Sequence, residues 1–213
     1  MGRHDWYRKT TWTPDDQQAF FDKLSRAKSW SAPQYAAIQA YCLADVGTRK
    51  LAEAALDLLG MVIERWLDDP IIESVHLERA KCLIRLERCE EAVEAFRNAL
   101  RVGKQKPHGS NTTAALDSGM FAVCHGREDL HDEVLDAFPE WSTLTFPIHR
   151  YQHSVVLAII SDSCGYREEA RRFAQRALEA AAVTHSGFGY HPKVGLLDKP
   201  EPQIHKRVQR LAR

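Results

Sequence analysis

Residues 80–99, AKCLIRLERCEEAVEAFRNA, contain the pattern that decides the predicted fold. Apolar residues recur at intervals of three and four, which indicates helices, and Glu87 stands where one helix would end and the next begin. Small side chains at facing positions allow two antiparallel helices to approach closely, and an aromatic side chain fills the space toward a neighbouring pair. The stretch therefore predicts a helical hairpin. Its small and aromatic positions are Ala80, Ala92, Phe96 and Ala99.

Related patterns occur at four places along the chain, with turns predicted at Gly47, Glu87, Gly126 and Gly165. These turn positions are separated by 40, 39 and 39 residues. The fourth unit matches best, whereas the third is weakest because few apolar residues follow its turn. A fixed period of this length is typical of helical repeat proteins. The matching positions of the fourth unit are Ala158, Gly165, Ala170, Ala174 and Ala177.

The order small, small, aromatic, small in residues 80–99 resembles the signature of the tetratricopeptide repeat (TPR), and the small residues of the fourth unit resemble it too. This resemblance implies an all-α fold: a TPR-like α-solenoid of about four helical hairpins with N- and C-terminal capping helices. The chain departs from the family in three ways. Its period is longer, the proline that usually closes each repeat is out of register, and no repeat has the early tryptophan. The resemblance therefore implies no particular ligand class.

A single repeat domain is predicted over residues 1–213. Residues 1–32 are expected to form an N-terminal cap, because Thr13-Pro14-Asp15-Asp16 has the residues that favour a helix start. Residues 33–183 hold the repeats. Residues 184–213 are expected to form a loop rich in Gly, His and Pro, followed by a capping helix with its apolar stripe at Ile204, Val208 and Leu211.

The composition is that of a folded protein, with 44% hydrophobic and 27% charged residues in a chain of 213. Lysine plus arginine equals aspartate plus glutamate at 29 each, so we expect neither a nucleic acid nor a membrane as partner. Five cysteines form no CxxC pair, and the charged first residues lead into no apolar segment. We therefore expect a cytoplasmic protein with free thiols and no cofactor.

The predicted function is non-enzymatic binding of a protein partner, because the first helices of stacked hairpins line a concave groove that such proteins use. An adaptor and a bacterial immunity protein that neutralises a cognate toxin both fit this description. We expect Arg85→Ala and Tyr41→Ala to weaken binding at least about tenfold, as central Tyr and Arg residues do, with little change in melting temperature. The predicted partner-binding residues are Tyr41, Asp45, Lys81, Arg85, Met120, Gln152 and Asp162.

The alternative is a metal-dependent or hydrolytic enzyme that uses His149, His153, His185 and His191. His149 and His153 are four residues apart, so one helix face could present both to zinc. No phosphate-binding loop, nucleophile elbow or HExxH motif accompanies them. The pattern favours ordinary hydrogen-bonded histidines, and no metal site is predicted.

Two further segments have alternative interpretations. The aromatic residues near the N-terminus stand close to Arg3, Arg8 and Lys9, a mixture that also suits base stacking on single strands. We favour an aromatic cap, and we likewise expect Phe188 and Tyr190 to cap the last hairpin rather than to bind a ligand. The basic residues of the tail could dock on the acidic residues of the third hairpin. The N-terminal aromatic residues are Trp6, Tyr7, Trp12, Phe20, Phe21, Trp30 and Tyr35.

Overall fold

The computed structural model describes residues 5–105 and 113–213, and within them every regular element is helical. The predicted all-α class is confirmed. Short 3₁₀ helices occur at Asp5–Tyr7, Glu128–Leu130 and Trp141–Thr143. The α-helices are α1 (Pro14–Leu24), α2 (Ala32–Asp45), α3 (Arg49–Arg65), α4 (Ile72–Arg85), α5 (Cys89–Lys104), α6 (Ala114–His125), α7 (His131–Asp136), α8 (Pro147–Ser163), α9 (Arg167–Ala181) and α10 (Pro202–Leu211).

The contacts between its residues divide the chain into two compact units, and the single repeat domain over residues 1–213 stays a prediction. The first unit ends at Ala114, and the second comprises Ala115–Arg213. Each of the five cysteines is a free thiol, as the sequence predicts. Within the described residues, no helix has both the length and the apolar character needed to cross a membrane.

The predicted start of α1 is confirmed. The Thr13 hydroxyl accepts a hydrogen bond from the Asp16 backbone N–H, and the Asp16 carboxylate accepts one from the Thr13 backbone N–H. This reciprocal arrangement is a capping box, which satisfies backbone donors at the first turn of a helix. The same hydrogen bonds, with one from Thr11, lower the pKa of Asp16 to about 2.

All four predicted hairpin turns lie at residues with positive φ: Gly47 at 80°, Glu87 at 61°, Gly126 at 64° and Gly165 at 82°. At the last three, the next residue's N–H donates to the carbonyl five positions earlier, as in Arg88 to Leu83 at 2.9 Å. This bond ends a helix by turning one residue into the left-handed region, where glycine is least strained. The periodic positions identified in the sequence are therefore turns between helices. Three of them are glycines, and the fourth is Glu87.

Replacing Glu87 by glycine is expected to stabilise the first unit by about 0.5–1 kcal/mol. Its φ of 61° strains a residue that has a Cβ, and glycine removes that strain, although it adds entropy to the unfolded chain. Chemical denaturation of Glu87→Gly and of Glu87→Ala measures the difference. The alanine variant is the control because it removes the carboxylate and keeps the Cβ. Equal stability of the two variants would contradict the strain argument.

The first unit contains two hairpins, α2 with α3 and α4 with α5, and α3 also packs against α4. The repeat positions lie in its interior. Ala40, Leu43, Ala55, Leu59 and Val62 are fully buried in the first hairpin. Ala80, Leu83, Ala92, Phe96 and Ala99 are at most 1% exposed in the second. The small residues therefore stand where helices meet, as the sequence pattern predicts.

An aromatic cluster covers the beginning of the first unit. Tyr7 stacks on Tyr35 with ring centroids 4.5 Å apart, and Trp6 contacts both rings edge-on at 5.2 Å. Trp12, Phe20 and Phe21 extend the cluster. These residues pack together, whereas Trp30 is 73% exposed. Their role as a cap of the first repeat stays a prediction. Arg3 lies outside the described residues.

The second unit is built on the hairpin of α8 and α9, with α10 packed against both. Ile204 and Val208 of α10 are buried, which confirms two of its three predicted apolar positions, whereas Leu211 is half-buried. The predicted third hairpin is short, since α7 has only six residues. Gly119 of α6 lies directly against neighbouring side chains, because an added Cβ would stand 3.0 Å from Val156 and 3.1 Å from Val134.

Residues 184–201 connect α9 to α10 without a helix, as the sequence predicts. The loop is attached to the start of α8, because the Gly195 carbonyl accepts a hydrogen bond from the Ile148 N–H at 2.8 Å. Phe188 lies 5.9 Å from the Phe146 ring and remains 43% exposed. Tyr190 is 96% exposed, so the prediction that it caps the last hairpin is wrong.

Candidate partner-binding surface

The first unit brings predicted binding residues from α2 and α4 together. These helices are the first helices of consecutive hairpins, and they contact each other. Tyr41 and Asp45 lie one turn apart on α2, and Lys81 and Arg85 lie one turn apart on α4. The Arg85 guanidinium donates a hydrogen bond to the Ala44 carbonyl, so residues of the two helices lie close together. We call Tyr41, Asp45, Glu78, Lys81 and Arg85 the α2/α4 surface.

Tyr41 is less accessible than the sequence suggests. Its ring is half-buried and its hydroxyl oxygen is fully buried, without a hydrogen-bond partner in the described residues. Burial and the Glu78 carboxylate raise the pKa of Tyr41 above its usual value of 10. An unpaired buried hydroxyl is uncommon in folded proteins and costs about 1–3 kcal/mol. Tyr41 therefore carries a buried hydroxyl that has no hydrogen-bond partner among the described residues.

Arg85 links the two helices. Its guanidinium donates a short hydrogen bond to the Ala44 carbonyl in the last turn of α2. That carbonyl is near the C-terminus of α2, where positive charge and additional donors are favourable. We therefore expect Arg85→Ala and Tyr41→Ala to lower the melting temperature, which differs from the expectation drawn from the sequence. The first variant loses this bond, and the second leaves a cavity.

Cys82 lies beneath the same surface and is fully buried. Burial, together with the carboxylates of Glu78 and Asp45, raises the pKa of its thiol to about 12, although the Arg85 guanidinium opposes the shift. A thiol is nucleophilic only as a thiolate, so Cys82 is unreactive at neutral pH. The α2/α4 surface therefore has charges of both signs, yet its buried thiol is not poised for catalysis.

The remaining predicted residues belong to the second unit. Met120 on α6 and Gln152 on α8 are half-buried. The Asp162 carboxylate pairs with the Arg207 guanidinium of α10 at 2.9 Å. Asp162 is thus ion-paired within the chain and partly exposed, and its contact with a partner stays a prediction. The sequence allowed the tail to dock on the acidic third hairpin as one possibility, and Arg207 of the tail contacts the fourth hairpin.

The four histidines of the alternative enzyme do not form a cluster. His153 is buried, stacks on Phe138 at 4.7 Å, and its Nε2 contacts the Pro139 carbonyl at 3.1 Å. His149 packs edge-on against Phe146 instead, and burial lowers the pKa of both imidazoles. His185 and His191 are exposed on the loop. No group of three or more His, Cys, Asp or Glu residues in the described ranges has the geometry of a metal site.

A cavity of about 480 Å³ lies among α3, α4 and α5 of the first unit, and His76 contributes to its wall. The sequence analysis did not predict this cavity. His76 is 8% exposed, and its Nδ1 is buried without a hydrogen-bond partner in the described residues. Burial lowers the pKa of His76 to about 4, and Arg79 and Arg101 add to the effect. The burial of His76 could have been predicted from the sequence, because its spacing places it on the same helix face as the apolar residues Ile72, Ala80 and Leu83.

The protein is therefore helical, and its α2/α4 surface carries charges of both signs on the first helices of two hairpins. Neither the protein-family models, nor the curated proteins, nor the solved structures provide a match to the chain.

Proposed function

We propose that the chain is a TPR-like, non-enzymatic binding protein that engages a protein partner on the α2/α4 surface. The observation that supports this best is the position of that surface, on the adjacent first helices of consecutive hairpins. Stacked hairpin proteins bind their partners on the surface formed by such helices. The resemblance in residues 80–99 supports the same assignment.

The chemistry of the surface agrees with protein recognition. Tyrosine and arginine are the side chains that contribute most to protein interfaces, and here they stand beside Asp45 and Lys81. A partner can pair its own charges with the side chains of both signs on this surface. Met120, Gln152 and Asp162 carry no part of this proposal, because they belong to the second unit.

Charge reversal at Asp45→Lys and Lys81→Glu is expected to weaken binding of the native partner at least about tenfold each, or about 1.4 kcal/mol. The matched controls are Asp57→Lys and Lys50→Glu, which make the same charge changes at exposed positions of α3. A photo-cross-linking residue at position 45 or 81 identifies the partner, and titration then measures the affinities. The proposal fails if the α3 variants weaken binding as much, or if cross-linking is equally efficient from positions 50 and 57.

A further inference from the structure

A second cavity of the first unit, of about 420 Å³, opens beside the connection between α1 and α2. The proposed partner surface does not include it. Its wall combines cationic and aromatic side chains and contains no carboxylate. The residues that give it this character are Trp6, Lys23, Arg26, Lys28, Trp30 and Tyr35.

The cations of this cavity are not neutralised within the described residues. No salt bridge there involves Lys23, Arg26 or Lys28. Arg26 is held by its Nε, which donates to the Asp22 backbone carbonyl at 3.0 Å. The Asp22 carboxylate instead accepts a hydrogen bond from Gln18 at 2.7 Å. Three cationic side chains therefore line one opening, which favours a ligand with more than one negative charge.

The aromatic side chains of the cavity provide a second kind of contact for a ligand, beside the cations. Trp30 is 73% exposed, and the Lys28 ammonium lies 5.7 Å from its ring centroid. Trp6 and Tyr35 form a fixed wall, since their rings pack at 5.2 Å within the aromatic cluster. An exposed indole next to cations offers a planar ring a surface for stacking, which contributes about 1–3 kcal/mol for a nucleobase.

We propose that this cavity binds a nucleotide, with the base stacked on Trp30 and the phosphates held by Lys23, Arg26 and Lys28. Ligand cavities of about 300–1,000 Å³ accommodate small molecules, and this one lies in that range. An inorganic anion would use the cations but leave the indole exposed, and a neutral ring would use the indole alone. A nucleotide is the chemistry that satisfies both. Its source is either a free mononucleotide or the terminal residue of a single strand.

Isothermal titration of the full chain with ADP tests the proposal, with adenosine, pyrophosphate and a short single-stranded oligonucleotide as the other probes. We expect ADP to bind at least about tenfold more tightly than adenosine or pyrophosphate. Affinity should decrease as salt concentration rises, because the phosphates are held by charge. Tighter binding of the oligonucleotide than of ADP would assign the site to a strand end.

The variants separate the two halves of the site. Trp30→Ala is expected to weaken ADP binding at least about tenfold, whereas Trp30→Phe retains a ring and most of the affinity. Lys28→Gln is expected to weaken ADP binding and leave adenosine unaffected. Tyr166→Ala, at a 63% exposed ring of the second unit, and Lys50→Gln on α3 are the controls, and circular dichroism verifies the helical content of every variant.

Three results would overturn the proposal: absence of ADP and oligonucleotide binding, pyrophosphate binding as tight as that of ADP, or equal losses in the control variants. These outcomes are independent of the α2/α4 surface, because none of the residues changed here belongs to it.

Discussion

Lowering the pH from 7.5 to 5 is expected to reduce the free energy of unfolding by about 1–2 kcal/mol through His76 alone. Burial lowers the pKa of this imidazole from 6.5 to about 4 in the folded chain. Below pH 6.5 the unfolded chain therefore binds a proton that the folded chain excludes. The stability that neutral His76 provides is complete above pH 6.5 and is lost as the pH falls toward 4.

Burial is the main cause of the lowered pKa of His76, and the charged groups around the imidazole reinforce or oppose it. Arg79 on the same helix and Arg101 on α5 both oppose a positive imidazole. Glutamates also border the cavity, at Glu64 on α3 and at Glu90, Glu91 and Glu94 on α5, but they are exposed at its rim. Water screens their charges, so burial prevails. His149 and His153 have pKa values shifted in the same direction and add to the loss at low pH.

Denaturant unfolding at pH 7.5 and at pH 5 measures this effect in the wild type and in His76→Gln. The glutamine variant has no imidazole to titrate. Between the two pH values, its free energy of unfolding should therefore fall less than that of the wild type, by a difference of about 1–2 kcal/mol. His191→Gln is the control, since it removes an exposed histidine from the loop. If His76→Gln has the same pH dependence as the wild type, His76 is not kept neutral by the fold.

Gly195→Ala is expected to destabilise the second unit by about 2–3 kcal/mol. An added Cβ would stand 2.2 Å from Cδ1 and 2.7 Å from Cβ of Phe146. Rotation of the ring cannot relieve a clash with Cβ, because that atom is attached to the backbone. The loop would have to move away from α8 and would lose the hydrogen bond from the Ile148 N–H to the Gly195 carbonyl.

Gly187→Ala in the same loop provides the control. Gly187 also has a positive φ, 88° compared with 66° at Gly195, but an added Cβ would meet no atom within 4 Å. This variant introduces backbone strain of about 1 kcal/mol without the clash. Thermal unfolding of both variants separates the two effects. An equal decrease in melting temperature would show that backbone strain alone is responsible and that the contact with Phe146 is unimportant.

The local features of this chain could be predicted from its sequence. The capping box at Thr13 and the turns at Gly47, Gly126 and Gly165 depend on residues close together in the chain, and their chemistry is local. The burial of the small residues Ala80 and Ala92 also follows from helical periodicity. Each of these predictions requires only the geometry of one helix or one hairpin.

The side-chain environments were decided by tertiary structure. Trp30 and Trp6 are both aromatic residues near the N-terminus, yet packing incorporates Trp6 into a cluster and leaves Trp30 exposed. Asp162 pairs with Arg207, 45 residues away, and no sequence pattern links the two. Burial and charge at a side chain depend on the elements packed around it, and spacing along one helix does not identify those elements. The sequence alone therefore determined the helices and their turns, whereas the tertiary structure decided which of their side chains remain accessible to a ligand or partner.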